Sequence, residues 1–104
     1  LVYGAQYFQE RPKDTNVIRG QTAVLKCVIG DRKGLVQWTK DGFSLGFNRT
    51  IPGLDRYSIT SSHPNEWNLM IVNAALEDDA VYECQVLPKD GDGKLQATAT
   101  LTVL

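Results

Sequence analysis

The sequence predicts an all-β sandwich of two antiparallel sheets, and three observations carry the prediction. The run Asp78-Asp79-Ala80-Val81-Tyr82-Glu83-Cys84 reads as a strand whose alternate members face a core and the solvent. Tyr82 stands two residues before a cysteine, where a buried ring sends its hydroxyl back to the upstream backbone. Cys27 is the only other cysteine, and Trp38 follows it by eleven residues, so Cys84 has one possible partner across the core and an indole to pack against the bridge.

The order Cys27, Trp38, Tyr82, Cys84 matches the immunoglobulin pattern of inter-sheet disulfide, packed indole and corner tyrosine. With 104 residues, the whole span 1–104 is expected to form one such domain. A chain of this size buries roughly 60–70% of its unfolded surface. The Cys27–Cys84 bridge therefore matters, at roughly 4 kcal/mol of chain entropy removed from the unfolded state. Such a bond persists only in an oxidising compartment, which places the domain outside the cell.

Each element follows in order. Gln6 to Glu10 and Val17 to Arg19 are expected as edge strands A and A′, separated by Pro12, which cannot donate a ladder hydrogen bond. Thr22 to Ile29 is strand B, with Ala23, Leu25, Cys27 and Ile29 inward. Leu35 to Lys40 is strand C, where inward Trp38 places Val36 on the core side and Gln37 and Thr39 on the outer side. Asp41-Gly42 is a turn pair leading to a short strand C′ over Phe43 to Phe47. Asn48 to Asp55, with Pro52 and Gly53, is too short for a further full strand, which favours an intermediate (I-set-like) arrangement over a variable-type one. Strand D covers Arg56 to Thr60, strand E Trp67 to Val72 with Leu69 and Ile71 inward, and strand F Val81 to Leu87. After a turn over 88–93, strand G points Ala97, Ala99, Leu101 and Val103 inward. No helix longer than a turn is expected.

Composition excludes several functions. The net charge is −1 and the Lys and Arg residues are scattered from Arg11 to Lys94, so no basic stripe suits nucleic acid or anionic lipid. No apolar run approaches the roughly 18–20 residues of a membrane span. Leu1-Val2-Tyr3-Gly4-Ala5 is too short for the apolar part of a signal peptide, so a mature or excised piece is expected, attached to a membrane only through chain beyond this sequence. The only histidine is His63, in a turn without partners for catalysis, so no enzyme, cofactor or catalytic residue is expected. The cysteines are committed to the bridge, which removes a zinc site. Asp90-Gly91-Asp92-Gly93 resembles the opening of a calcium loop but lacks the further ligands, so a plain turn and no metal are expected.

Three features carry expectations of their own. Arg56 and Asp78 suit the arginine–aspartate bridge common in immunoglobulin domains, a structural pairing. Asn48-Arg49-Thr50 is a glycosylation sequon. On strand F, inward Tyr82 and Cys84 leave Val81, Glu83, Gln85 and Leu87 outward, beside Gln37 and Thr39 of strand C and some of Phe43, Leu45 and Phe47 of C′. This mixture of apolar and uncharged polar groups is typical of an interface core.

Gln37-Trp38-Thr39-Lys40-Asp41-Gly42, Arg56-Tyr57, and Leu76 to Ala80 followed by Tyr82-Glu83-Cys84-Gln85-Val86 resemble the first immunoglobulin domain of the Kirrel and Roughest group of nephrin-related adhesion receptors, across nearly the whole chain. The resemblance implies the outermost extracellular domain of a type I plasma-membrane protein. It implies pairing with a like domain, as a homodimer, or with a nephrin-like one, in synapse targeting or cell junctions. It implies that Gln37, Thr39, Phe43, Leu45, Phe47, Glu83, Gln85 and Leu87 contact the partner through the C, C′, F and G face. A spacer domain, or a receptor domain reading an unrelated ligand through its loops, are the competing readings.

Overall fold

Alternating apolar side chains give each strand one face to bury, and the computed structural model, which describes residues 4–49, 51 and 53–104, buries them between two layers. Among those residues the strands are β1 (Tyr7–Glu10), β2 (Thr15–Val17), β3 (Ala23–Leu25), β4 (Val28–Gly30), β5 (Val36–Lys40), β6 (Phe43–Ser44), β7 (Tyr57–Thr60), β8 (Asn68–Ile71), β9 (Ala80–Val86) and β10 (Leu95–Val103). A 3-10 turn, Leu76–Asp78, precedes β9. One layer is a sheet of order β2-β10-β9-β5-β6; the other is β3-β8-β7, to which the separate β1-β4 pair is joined by the isolated Val28–Glu66 bridge. Leu1, Val2 and Tyr3 of the opening segment, Thr50 of the sequon and Pro52 lie outside the described residues.

Pro12 sends the two parts of the first strand to different layers. β1 pairs antiparallel with β4, whereas β2 runs parallel to β10, Val17 opposite Val103. The second part lies two residues earlier than the expected 17–19. Asp14 Oδ1 accepts the Thr100 N–H at 2.8 Å and starts the pairing early, and by Gly20 the backbone has turned to φ 88°.

Strand B is two strands. The Cys27 N–H donates to Asn68 Oδ1 at 3.1 Å, and the Cys27 carbonyl accepts from Trp67 N at 2.7 Å, so the ladder breaks there. β3 pairs with β8 and β4 with β1. Facing survives the break: Ala23, Leu25, Cys27 and Ile29 are all buried, as are Leu69 and Ile71 of β8 and Ala97, Ala99, Leu101 and Val103 of β10. Cys27 and Cys84 are bonded through the middle of this core, and the Trp38 indole beside them donates Nε1–H to the Trp67 carbonyl at 2.7 Å.

C′ is shorter than expected. Asp41 and Gly42, at φ 47° and 86°, make a two-residue turn that pairs Lys40 with Phe43 and Thr39 with Ser44. Leu45 adds one bond, its N–H to the Trp38 carbonyl at 2.8 Å. Gly46 then turns to φ 94°, a left-handed conformation that ends the extended run before Phe47. The described residues between Asn48 and Asp55 contain no strand.

Gln6 ties the β4–β5 connection to the β9–β10 turn. It is buried, donating Nε2–H to Leu87 O at 3.2 Å and Gly93 O at 3.0 Å, while its Oε1 accepts from Lys33 N at 3.1 Å and Gly34 N at 3.2 Å. Asp92 Oδ2 accepts from Gln6 N at 2.9 Å and Lys33 Nζ at 2.8 Å, and the Lys33 bond holds its carboxyl below the usual range. Gly34 is required here, since a β-carbon would lie 1.8 Å from the Leu87 carbonyl oxygen.

Candidate functional site

The register of three neighbouring strands builds the outer face of the five-stranded sheet. Gln85 of β9 lies opposite Gln37 of β5 on one side and Gln96 of β10 on the other. The next row is Thr39, Glu83, Thr98. Because residues paired across antiparallel strands point the same way and Trp38, Cys84 and Ala97 are buried, both rows face out.

The polar side chains form a directed chain. Ser44 Oγ donates to Gln37 Oε1 at 2.6 Å, Gln37 Nε2 donates to Gln85 Oε1 at 2.9 Å, and Gln85 Nε2 donates to Glu83 Oε1 in a short bond. Ser44 Oγ in turn accepts from Gly46 N at 3.0 Å. Each amide nitrogen carries two protons and uses one in this chain, so a second N–H of each glutamine is available to a partner's acceptor. Around the chain stand Leu35, 59% exposed, Val81, 46% exposed, and half-buried Leu87, whose N–H bonds the Leu35 carbonyl at 2.9 Å.

Of the residues named from sequence, Thr39 is more buried than expected and three residues of C′ sit elsewhere than expected. Thr39 faces outward but is only 6% exposed, flanked in register by Ser44 and Glu83 on both neighbouring strands. Phe43 is 78% exposed, yet its pairing with Lys40 puts it on the opposite side of the sheet from Gln37. Leu45 shares that side and packs against the core. Phe47 lies beyond the strand, in a shallow crease with Leu45, Ile51 and Trp67 beside exposed Asn48. The two-residue Asp41-Gly42 turn was the available signal, since it dictates that Ser44, and not Phe43, joins the outer face. Ser44 and Leu35 join this face without having been singled out from the sequence.

At the opposite end of β9 a polar cluster supports the sheet. Tyr82 donates its hydroxyl to the Asp78 carbonyl at 2.7 Å. Asp78, only 1% exposed at its side chain, takes Arg56 Nη1 on Oδ2 at 2.6 Å and Nη2 on Oδ1 at 2.9 Å. It also accepts the Tyr57 hydroxyl at 2.5 Å and the Ala75 N–H at 2.7 Å. Burial pushes the Asp78 carboxyl up, but these donors, Arg56 first, outweigh it and hold the pKa at about 2. Burial pushes the Tyr82 hydroxyl up to about 12 and raises Tyr57 further, with Asp78 adding to the rise at Tyr57. Among the described residues no group of histidine, cysteine or acidic side chains is placed to hold a metal ion.

An immunoglobulin I-set domain model matches residues 6–103. Kin of IRRE-like protein 1 of Homo sapiens is 46% identical over 79 residues, covering 75% of this chain and 10% of that protein. The Irregular chiasm C-roughest protein of Drosophila melanogaster is 38% identical over 105 residues, covering 98% of this chain and 14% of that protein. The crystal structure of Duf (Kirre) D1 superposes with a TM-score of 0.90 at 38% identity, covering 95% of this chain and 96% of that one. The chain thus spans between a tenth and a seventh of the length of these curated relatives.

Proposed function

We propose that this chain, which belongs to the immunoglobulin I-set family and within it to the Kirrel and Roughest group, is an extracellular adhesion module that binds a like or related immunoglobulin domain through the outer face of β10, β9, β5 and β6. The family is one of adhesion domains and not of enzymes. The observation that carries the proposal is the Ser44–Gln37–Gln85–Glu83 chain, bordered by exposed Leu35 and Val81. Its side chains are already held by one another, so a partner that docks on them orders few new rotamers, and preorganisation of that kind raises affinity. Directed amides fix the partner's orientation without the cost of burying unpaired charge.

The partner-facing set is Gln37, Gln85, Glu83, Leu87, Ser44, Leu35 and Val81, with Thr39 covered among them on the same face; Leu45 packs beneath, and Phe43 and Phe47 are reached only by a partner that wraps the C′ edge. The similarity to a first domain supports a place at the outer end of a longer ectodomain, anchored by chain beyond this sequence. A glycan on Asn48, beside the crease below C′, would border the contact and limit how far a partner extends past Phe47. A single contact of roughly 800 Å² per partner or less suffices, because many receptors at a cell contact add avidity of roughly 10²–10⁴. The test is an aggregation assay with beads carrying this chain, mixed with beads carrying it or a first domain from a Kirrel or Roughest relative. Clustering lost on Gln37→Ala with Gln85→Ala supports the proposal, and clustering unchanged by that pair of substitutions removes the face from it.

A further inference from the structure

Where the first strand crosses between layers, Glu10, Arg11, Lys13, Thr15, Val24 and Lys26 line a groove of about 180 Å³. Cations distant in sequence meet here: Arg11 and Lys13 flank buried Pro12, and Lys26 points outward between buried Leu25 and Cys27. β3 has a hydrogen-bonded neighbour, β8, on one side only, so the groove runs along its open edge. Arg11, Lys13 and Lys26 are exposed and form no ion pair among the described residues, while the Arg11 guanidinium rests over the Phe8 ring at 5.0 Å. Against these three cations stands one carboxylate, Glu10.

We infer that this groove binds a sulfated polysaccharide of the extracellular matrix. An isolated small anion gains little from exposed cations, because water and salt screen each pair. A repeating polyanion crossing the groove engages all three at once and releases its own counterions. Val24, 43% exposed, and the aliphatic stems of Lys13 and Lys26 offer an apolar floor to the C–H face of a sugar ring. The compartment follows from the Cys27–Cys84 bond, which belongs to an oxidising exterior where sulfated glycans are the abundant polyanions. The groove lies at the layer crossing and is lined by none of the residues of the adhesion face, so the two sites can be filled together.

The experiment immobilises a heparin-derived octasaccharide and passes the 104-residue chain over it at about 50 mM and about 300 mM salt. Lys13→Ala with Lys26→Ala should weaken binding roughly tenfold, with Arg11 kept in place to preserve its packing on Phe8. Glu10→Gln should strengthen it, and Lys89→Ala with Lys94→Ala, remote from the groove, should leave it unchanged. All variants should melt at the parent temperature, since every changed side chain is at least partly exposed. Absence of binding at the lower salt overturns the inference. So does equal binding by the two double variants, equal binding of desulfated octasaccharide, or capture by phosphatidylserine vesicles with the same sensitivity to Lys13 and Lys26.

Discussion

Gln37 Nε2 donates to Gln85 Oε1 at 2.9 Å across the β5–β9 pair, so two amides on neighbouring strands form one directed unit. Ser44 feeds it at one end and Glu83 terminates it at the other. On an exposed face water replaces any member that is removed, so such a unit contributes little to folding. At a contact the same unit is desolvated, and its geometry becomes decisive.

Gln37→Ala is therefore expected to change unfolding free energy by less than about 1 kcal/mol while weakening partner association at least tenfold, about 1.4 kcal/mol. Gln85→Ala should do the same. The double variant should lose less than the sum of the two, because each single change already breaks the shared bond. Urea denaturation and binding isotherms of the three variants check this together.

Asp78→Ala is expected to destabilise the domain by about 3 kcal/mol, since it removes the buried acceptor shared by the Arg56 guanidinium, the Tyr57 hydroxyl and the Ala75 N–H and leaves Arg56 without its two-pronged ion pair. A loss of that size lowers the melting temperature by more than about 10 °C in a domain of this length. The carboxyl titrates near 2 when folded, below its ordinary 3.8. Its contribution is thus complete above about pH 4 and disappears as pH falls through about 2, roughly 2 kcal/mol in all. Calorimetry from pH 5 to pH 2 should show that loss in the parent chain and a flatter profile in Asp78→Asn.

Phe43 and Leu45, two residues apart on C′, should respond to different degrees. Phe43→Ser removes an exposed ring and should cost less than about 0.5 kcal/mol. Leu45→Ala takes contacts from the core and should cost about 1–2 kcal/mol. Chemical denaturation of both variants reads the difference directly.

Gly34→Ala should cost about 2 kcal/mol, because the new methyl group collides with the Leu87 carbonyl and displaces the backbone that Gln6 holds. Amide exchange should then quicken over residues 87–93 as well as at the substitution itself.

The layers and the inward faces were legible because Cys27, Trp38 and Cys84 pin the parity of three strands, and a period of two carries that parity along each of them. The row of Gln37 and Gln85 followed from the same parity. What stayed hidden depends on distant groups. The division of strand B comes from Asn68, forty-one positions away, capturing the Cys27 N–H. The buried Gln6 joins the N-terminal strand to Leu87 and Gly93, and a lone glutamine in an edge strand gives no hint of it. The burial of Thr39 arises from neighbours on both sides, which no single strand's pattern records. The C′ side chains were misplaced for a local reason, since the Asp41-Gly42 turn sets Ser44 and not Phe43 opposite Thr39.

Sedimentation velocity of the 104-residue chain over a concentration series, alone and mixed with a first domain from a Kirrel or Roughest relative, tests the adhesion face most directly. The expected result is reversible association in at least one of the two samples, abolished by Gln37→Ala with Gln85→Ala and untouched by Lys13→Ala with Lys26→Ala. Monomers at every concentration in both samples, or association that survives loss of the two glutamines, would contradict it.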